Sequence, residues 1–370
     1  MNILYGVQAT GNGHISRSRE VIRSLRSLGH NVFVIFSGRD PTLLWDIDDF
    51  QPFKTFRGLT FSTYRGKVQY VRTFFKLNFR QFLMDIKSFD ASGYDLVITD
   101  FEPISSQIAR NYNLPSFGIG HQYSFLYDIP TAGANILANF IIKNFAPARY
   151  TIGLHWHHFN QPILPPIVPL FENADKKTVA NKILVYLPFE ELEDIKKLLK
   201  PFKNYSFFVY HKMDRVLSED NIILCPYSRN GFLKDLVECC GVITNAGFEL
   251  VSEALNLGKK LLLKPLEGQM EQLSNALVIK NLRLGLVMYK LDRHCVERLL
   301  QSPLASPMIY PHIADMIAEY IDMGDWDNMG DLIKEAWGNT TCGSLLNSFN
   351  PFLAPTTNTC NGILTRPFSG

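Results

Sequence analysis

Residues 241–265 read GVITNAGFELVSEALNLGKKLLLKP. Gly241–Thr244 is a short apolar run with β-branched residues, which predicts a buried strand. Asn245-Ala246-Gly247 then makes a tight turn. A helix is expected from Phe248 to Leu257, and Lys260–Lys264 reads as the next strand. The backbone amides that open such a helix suit a diphosphate. Glu253 lies further along the same helix, within reach of a sugar on the same nucleotide. Past the second strand, the loop Pro265–Gln269 with Gly268 opens a crevice, and Glu271 and Gln272 follow at a helix start. A plain strand–helix–strand unit with an ordinary helix cap has the same spacing.

The same alternation fills most of the 370 residues. Asn2–Val7, Asn31–Phe36, Tyr94–Asp100 and Pro115–Gly120 read as strands, with helices at Ser16–Leu28 and near Ile104–Tyr112. A proline-rich passage, QPILPPIVP at 161–169, interrupts the pattern and is expected to be a stiff linker. Strands at Lys182–Leu187, Tyr205–Tyr210 and Ile222–Cys225 follow, with helices at Glu190–Leu199 and Gln269–Asn281. Two closing helices are expected near Ile313–Asp322 and Trp326–Trp337. Short strands separated by helices give parallel sheets. The expected organisation is a first domain over 1–160, the linker, a second domain over 170–337, and a loosely ordered tail over 338–370 that is poor in charge.

Composition excludes several classes of function. The net charge of +2 gives no global pull toward nucleic acid. The charge is uneven: residues 1–160 carry 16 Lys and Arg against 11 Asp and Glu, so this half suits an anionic partner. No apolar run approaches the ~20 residues of a membrane span, and no signal peptide pattern opens the chain. The six cysteines are not at metal-ligand spacings, and reduced thiols in the cytoplasm are expected.

The N-terminal turn, GVQATGNGHISRS at 6–18, is the second candidate site. Gly11 and Gly13 would present amides to an anion. The dinucleotide pattern is not met: Ser16 stands at the third glycine position, and Asp40 lies too far along. His14 falls at the carboxyl end of the first strand, where open parallel sheets place ligands. A neutral imidazole there could accept a proton from an alcohol. Asp100 and Glu102, in VITDFEP, are candidates to hold its tautomer. Local capping by His14, or helix capping by Asp100, would use the same residues.

GNGH near the N-terminus and TNAGFELVSEALNLGKKLLLKPLEGQMEQLSNA late in the chain together resemble the GT-B glycosyltransferases. The likeness runs over roughly 1–335 and is greatest to the bacterial N-acetylglucosamine transferases that form lipid II and their prokaryotic relatives. The resemblance implies two Rossmann-like domains with parallel sheets facing across a cleft. It implies a nucleotide-sugar donor, UDP-linked, on the C-terminal domain, and a glycan or lipid-linked acceptor on the N-terminal one. Glu253 matches the acid on the donor ribose, Gly247 with Asn245 and Phe248 the diphosphate turn, and Glu271 with Gln272 the pair on the donor sugar. A glutamate at 271 departs from the two glutamines that the family prefers. His14 matches the histidine of the glycine loop, and His121-Gln122 a loop at the cleft. Tyr227 and Phe232, in CPYSRNGF, fall where the family holds the base. The loop LPFEE at 187–191 lacks the glycines of the relatives.

The expected reaction is an inverting transfer without metal or other cofactor, the nucleotide sugar being a substrate. Asp46-Ile47-Asp48 has the spacing of a metal-binding pair but reads as a solvated turn. Val68–Ile86 reads as one basic, aromatic helix, with Val71, Phe74, Phe75, Phe79, Phe82 and Ile86 on one face and Arg72, Lys76 and Arg80 in a stripe. Such a helix can lie on the inner face of a membrane, or its aromatics can pack on the core. A nucleotide-sugar 2-epimerase or a non-catalytic nucleotide-sugar binder would share the fold.

Overall fold

The computed structural model describes residues 1–44, 46–59, 63–64, 67–68, 78–171 and 178–341. The first half contains β1 (Asn2–Gln8), β2 (Asn31–Ser37), β3 (Phe53–Thr55), β4 (Thr63–Tyr64), β5 (Lys67–Val68), β6 (Leu96–Asp100), β7 (Ser116–Gly120), β8 (Tyr150–Leu154) and β9 (Ile163–Leu164). Its helices are α1 (Asn12–Ser27), α2 (Phe79–Lys87), α3 (Pro103–Asn111), α4 (His121–Ser124) and α5 (Ile136–Asn144). The second half contains β10 (Val179–Tyr186), β11 (Ser206–Tyr210), β12 (Leu217–Glu219), β13 (Ile222–Cys225), β14 (Cys239–Thr244), β15 (Lys260–Leu263) and β16 (Leu286–Val287). Its helices are α6 (Leu192–Leu199), α7 (Arg229–Glu238), α8 (Phe248–Asn256), α9 (Met270–Asn281), α10 (Arg293–Gln301), α11 (Ile313–Met323) and α12 (Gly330–Gly338).

Two seven-stranded sheets result, ordered β3-β2-β1-β6-β7-β8-β9 and β12-β13-β11-β10-β14-β15-β16. Only the β12–β13 pair among their neighbours is antiparallel. The central strands are covered on both faces, as parallel sheets require. Ile3, Tyr5 and Val7 of β1 join one apolar cluster and Leu4 another. In β10 the same split occurs, with Leu184 on one side and Ile183 and Val185 on the other.

In both sheets the strand order reverses between two central neighbours, β1/β6 and β10/β14. Ligands of open parallel sheets bind beyond the carboxyl ends of strands at such a reversal. His14 follows β1, Asp100 ends β6, Tyr186 ends β10, and Asn245 follows β14. The topology thus places His14 beside Asp100 in one sheet, and Tyr186 beside Asn245 in the other.

Three features differ from the sequence expectations. The helix after β1 begins at Asn12, four residues before the expected start at Ser16, because Gly11 takes the extended N-cap conformation. Gly13 and His14 therefore lie in its first turn, not in a loop. Within the proline-rich stretch, Ile163–Leu164 pairs with β8 as the edge strand of the first sheet, a position where neighbouring prolines cost no ladder bonds. Finally, Val68–Ile86 is not one helix. Val68 is in β5, residues 69–77 lie outside the described residues, and Asn78 caps a new helix by accepting from the Gln81 amide. Phe82 and Ile86 of α2 pack inward, whereas Phe79 and Leu83 are 51% and 56% exposed. The tail beyond Thr341 also lies outside the described residues. Among the described residues, no helix is long and apolar enough to cross a membrane.

The closing helices do not stay with the second sheet. Asp315 of α11 accepts from Ser24 of α1, and Tyr320 and Trp326 pack edge-on against Phe117 of β7. The chain therefore crosses between the two halves twice.

Candidate active site in the cleft

Two helices, one from each half, begin at the same place. Both α1 and α8 are opened by a glycine N-cap, Gly11 and Gly247, and neither has a side-chain cap. A Cβ at either glycine would meet nothing within 4 Å, so the space beside each is open. A Cβ at Gly13 would lie 2.7 Å from Cγ of Glu249, so only glycine allows α8 this close. One turn on, the Ser16 hydroxyl donates to Glu253 over 3.3 Å. The helices run alongside each other with their positive ends together, where uncapped amides attract an anion.

His14 projects from the first turn of α1, and its side chain is 14% exposed. Its Nδ1 lies 2.7 Å from Oδ1 of Asp100. Asp100 is completely buried. Burial alone would raise its pKa, but Arg17 and His14 overcome this and hold it at about 2. An ionised carboxylate only accepts, so in this bond Nδ1 of His14 is the donor. Arg17 completes the group. Its Nε and one terminal nitrogen donate to the two Asp100 oxygens over 2.9 and 2.5 Å. Its other terminal nitrogen donates to Glu249 of α8.

Glu102 does not share in this. It is the N-cap of α3, accepting from the Ile104 and Ser105 amides over 2.9 and 2.6 Å, and from the Ser37 hydroxyl over 2.5 Å. Of the two acids, Asp100 is the one that partners His14, whose Nδ1 also lies 3.1 Å from a terminal nitrogen of Arg17, and the helix-capping role falls to Glu102.

Beside the converging helices lies a cavity of about 150 Å³, walled by Tyr186, Tyr210, Tyr227, Phe232, Arg229 and Glu253. Tyr186 meets Tyr227 and Phe232 with ring centroids 6.2 and 5.5 Å apart. Tyr227 and Phe232 thus line one cavity. The sequence reading missed Tyr186 and Tyr210, which stand at strand ends, and the helix α7 that Ser228 caps through the Gly231 amide. Asp46 is solvent-exposed in a bend, as expected, and from there pairs with Arg19 and Arg229 at 3.4 and 3.5 Å on this rim. The loop after β10 ties back through Glu190, which pairs with Lys264 at 2.6 Å.

On the other flank, Gln122 donates to Glu271 over 3.1 Å. Gln272 accepts from the Leu266 amide over 2.8 Å and so shapes the loop that holds Gly268. Asn245 donates to the Lys264 carbonyl and fixes the turn before α8. His121 and Phe248 are packed between the halves. Their rings stack at 4.0 Å, and the two His121 nitrogens lie 2.9 Å from the Leu154 carbonyl and 2.7 Å from Asn275. Among the described residues, no three His, Cys, Asp or Glu side chains gather as a metal site.

Two acids of α8, Glu249 and Glu253, are buried where the halves meet. Burial raises Glu253 to about 7. It also raises Glu249 to about 8: Arg17 opposes this, while Asp100, Glu253 and Glu271 reinforce it. A carboxyl whose pKa is raised on closure favours the closed form below its ordinary value near 4.5. That advantage declines as pH rises through the closed-form value. Ligand-free protein should therefore be more open at pH 8.5 than at pH 5.5, read as a larger radius of gyration in solution scattering. An unchanged radius would show that these carboxyls do not control closure.

A family model described as Glycosyl transferase family 1 matches residues 1–303. No curated protein matches the chain. Among solved structures, glycosyltransferase SsfS6 from Streptomyces sp. SF2575, complexed with thymidine diphosphate, is 12% identical with a TM-score of 0.59, covering 87% of this chain and 99% of that one. Arabidopsis thaliana UGT89C1 complexed with UDP is 13% identical with a TM-score of 0.57, covering 90% and 99%. Glycosyltransferase SnogD from Streptomyces nogalater is 14% identical with a TM-score of 0.52, covering 91% and 99%. At these identities the likeness concerns the fold, and that fold is GT-B. With two parallel sheets meeting at a cleft and the family match over most of its length, the chain belongs to glycosyl transferase family 1.

Proposed function

We propose that the protein moves a sugar from a nucleoside diphosphate, UDP in the first instance, to a hydroxyl of a glycan or lipid-linked acceptor, with inversion and without metal. The observation that carries this is the meeting of two uncapped helix starts beside a cavity walled by aromatic rings and Glu253. The diphosphate sits at the helix starts, the base lies among Tyr186, Tyr227 and Phe232, and Glu253 accepts from the ribose hydroxyls. Gln122 and Glu271 lie on the sugar's side. His14 Nε2 takes the proton of the acceptor hydroxyl. The oxygen then bonds to the anomeric carbon as the bond from that carbon to the diphosphate breaks. Amides and helix dipoles stabilise the charge on the departing nucleotide.

The acceptor belongs to the N-terminal half. The exposed Phe79, Leu83 and Met84 of α2, with Arg80 beside them, support contact with an anionic membrane surface. The resemblance to the lipid II-forming transferases points the same way, toward UDP-N-acetylglucosamine and a lipid-linked acceptor at the inner face of a membrane.

The test is calorimetric titration with UDP and dTDP, followed by nucleotide release from a panel of UDP- and dTDP-sugars. Glu253→Ala should weaken nucleotide binding about 10- to 100-fold, the value of a hydrogen bond to a charged group. Failure of the native protein to bind either nucleotide, or equal affinity in the variant, would overturn the assignment.

A further inference from the structure

Arg17 is almost fully buried, and no part of the transfer scheme above uses it. We propose that Arg17 is a positioning residue: it fixes Asp100, and through it His14, and its seat is completed by Glu249 only when the two halves close. This rests on His14 acting as the base.

The geometry is specific. Arg17 and Asp100 meet side-on through two bonds, 2.9 and 2.5 Å, and a planar guanidinium fork sets the plane of the carboxylate it grips. Ser18 adds a third donor to Asp100 at 2.9 Å. Asp100 in turn holds Nδ1 of His14, so the plane of Arg17 is passed on to the imidazole. The remaining arm of the guanidinium donates to Glu249, whose helix belongs to the opposite half. Space for the fork is kept by Gly120: a Cβ there would come within 3.0 Å of an Arg17 terminal nitrogen and 3.4 Å of Asp100 Oδ1. When the cleft opens, Arg17 loses the arm that steadies it, and the base loses its alignment. Closure on the donor therefore assembles the base, which protects the nucleotide sugar from hydrolysis while the cleft is open.

The experiment uses the full chain and measures four quantities: kcat, KM, UDP affinity and melting temperature. Arg17→Met is expected to lower kcat about 100-fold, the effect of a misplaced catalytic group, with little change in UDP affinity. Arg17→Lys, which keeps the charge and the fold but not the fork, should regain part of the rate. Glu249→Gln should lower kcat. The deciding variant combines His14→Ala with Arg17→Met. If Arg17 acts through His14, the double variant is no slower than His14→Ala alone. Multiplying losses, or native kcat in both Arg17→Lys and Glu249→Gln, would overturn the proposal. Native turnover in His14→Ala would instead refute the assignment of the base, whatever Arg17 does.

Discussion

Replacing His14 by alanine is expected to slow sugar transfer by about 10²–10⁴-fold, the usual contribution of a positioned general base. UDP affinity should change little, because His14 does not wall the aromatic cavity proposed to hold the nucleotide. The expectation follows from the contacts at one ring. Asp100 is ionised far below neutrality and occupies Nδ1 at 2.7 Å, so Nε2 is the nitrogen left to accept a proton. His14→Gln should not restore the rate, since an amide cannot take a proton at neutral pH. Initial rates of UDP release from the sugar nucleotide selected by the panel, with and without acceptor, make the measurement. Turnover in His14→Ala within a factor of about two of native is far less than any base contributes and would remove the imidazole from the mechanism.

The second large effect concerns Asp100→Asn. Here the volume is kept and the charge is lost. Asp100 accepts from His14, twice from Arg17, and from Ser18, all without solvent. An amide nitrogen placed among these donors faces at least one of them, and Arg17 keeps only its bond to Glu249. Breaking a buried pair from one side costs about 3–5 kcal/mol; the surviving Glu249 contact puts this case near the lower end. The pH dependence has a defined sign. The folded-state pKa of Asp100, about 2, lies below its unfolded value. Its contribution is therefore complete above pH ~4 and declines as pH falls through about 2. In thermal melts between pH 7 and 2, native protein should lose stability at the acid end, and Asp100→Asn should lose less over that window from a lower start. Equal stability of the two proteins at pH 7 would show that the buried charge contributes nothing. Activity should fall as well, because an asparagine carbonyl or amide can face Nδ1 and the tautomer is no longer fixed.

The fold and part of this site could be read from the residues alone. Alternation of apolar runs with helical segments exposed both parallel sheets, since strands buried on two faces leave an unbroken hydrophobic signature. The His14–Asp100 pair was legible for the same reason: each residue lies at or just past the carboxyl end of a strand, and these strands turn out to be neighbours, with Val7 beside Asp100. The choice between Asp100 and Glu102 was open, although Pro103 at the first helical position marks Glu102 as the cap. Arg17 and Glu249 carried no signal at all. A bond between residues 232 apart leaves no period or motif, and both side chains sit on helices whose polar residues would ordinarily face water. Helix α7 was hidden because Gly231 and a weak apolar stripe mask its period. The aromatic wall of the cavity drew on three separate segments, and only two of its four rings fell in the passage singled out.

Because α11 returns to lie on α1, the two lobes are joined by a pair of strands of chain, one near residue 165 and one near residue 310. A single tether would let one lobe swivel freely against the other. Two attachment points act like the pins of a door and leave one easy axis of rotation. A swing of one lobe toward the other about that axis would bring Glu249 back to the same guanidinium.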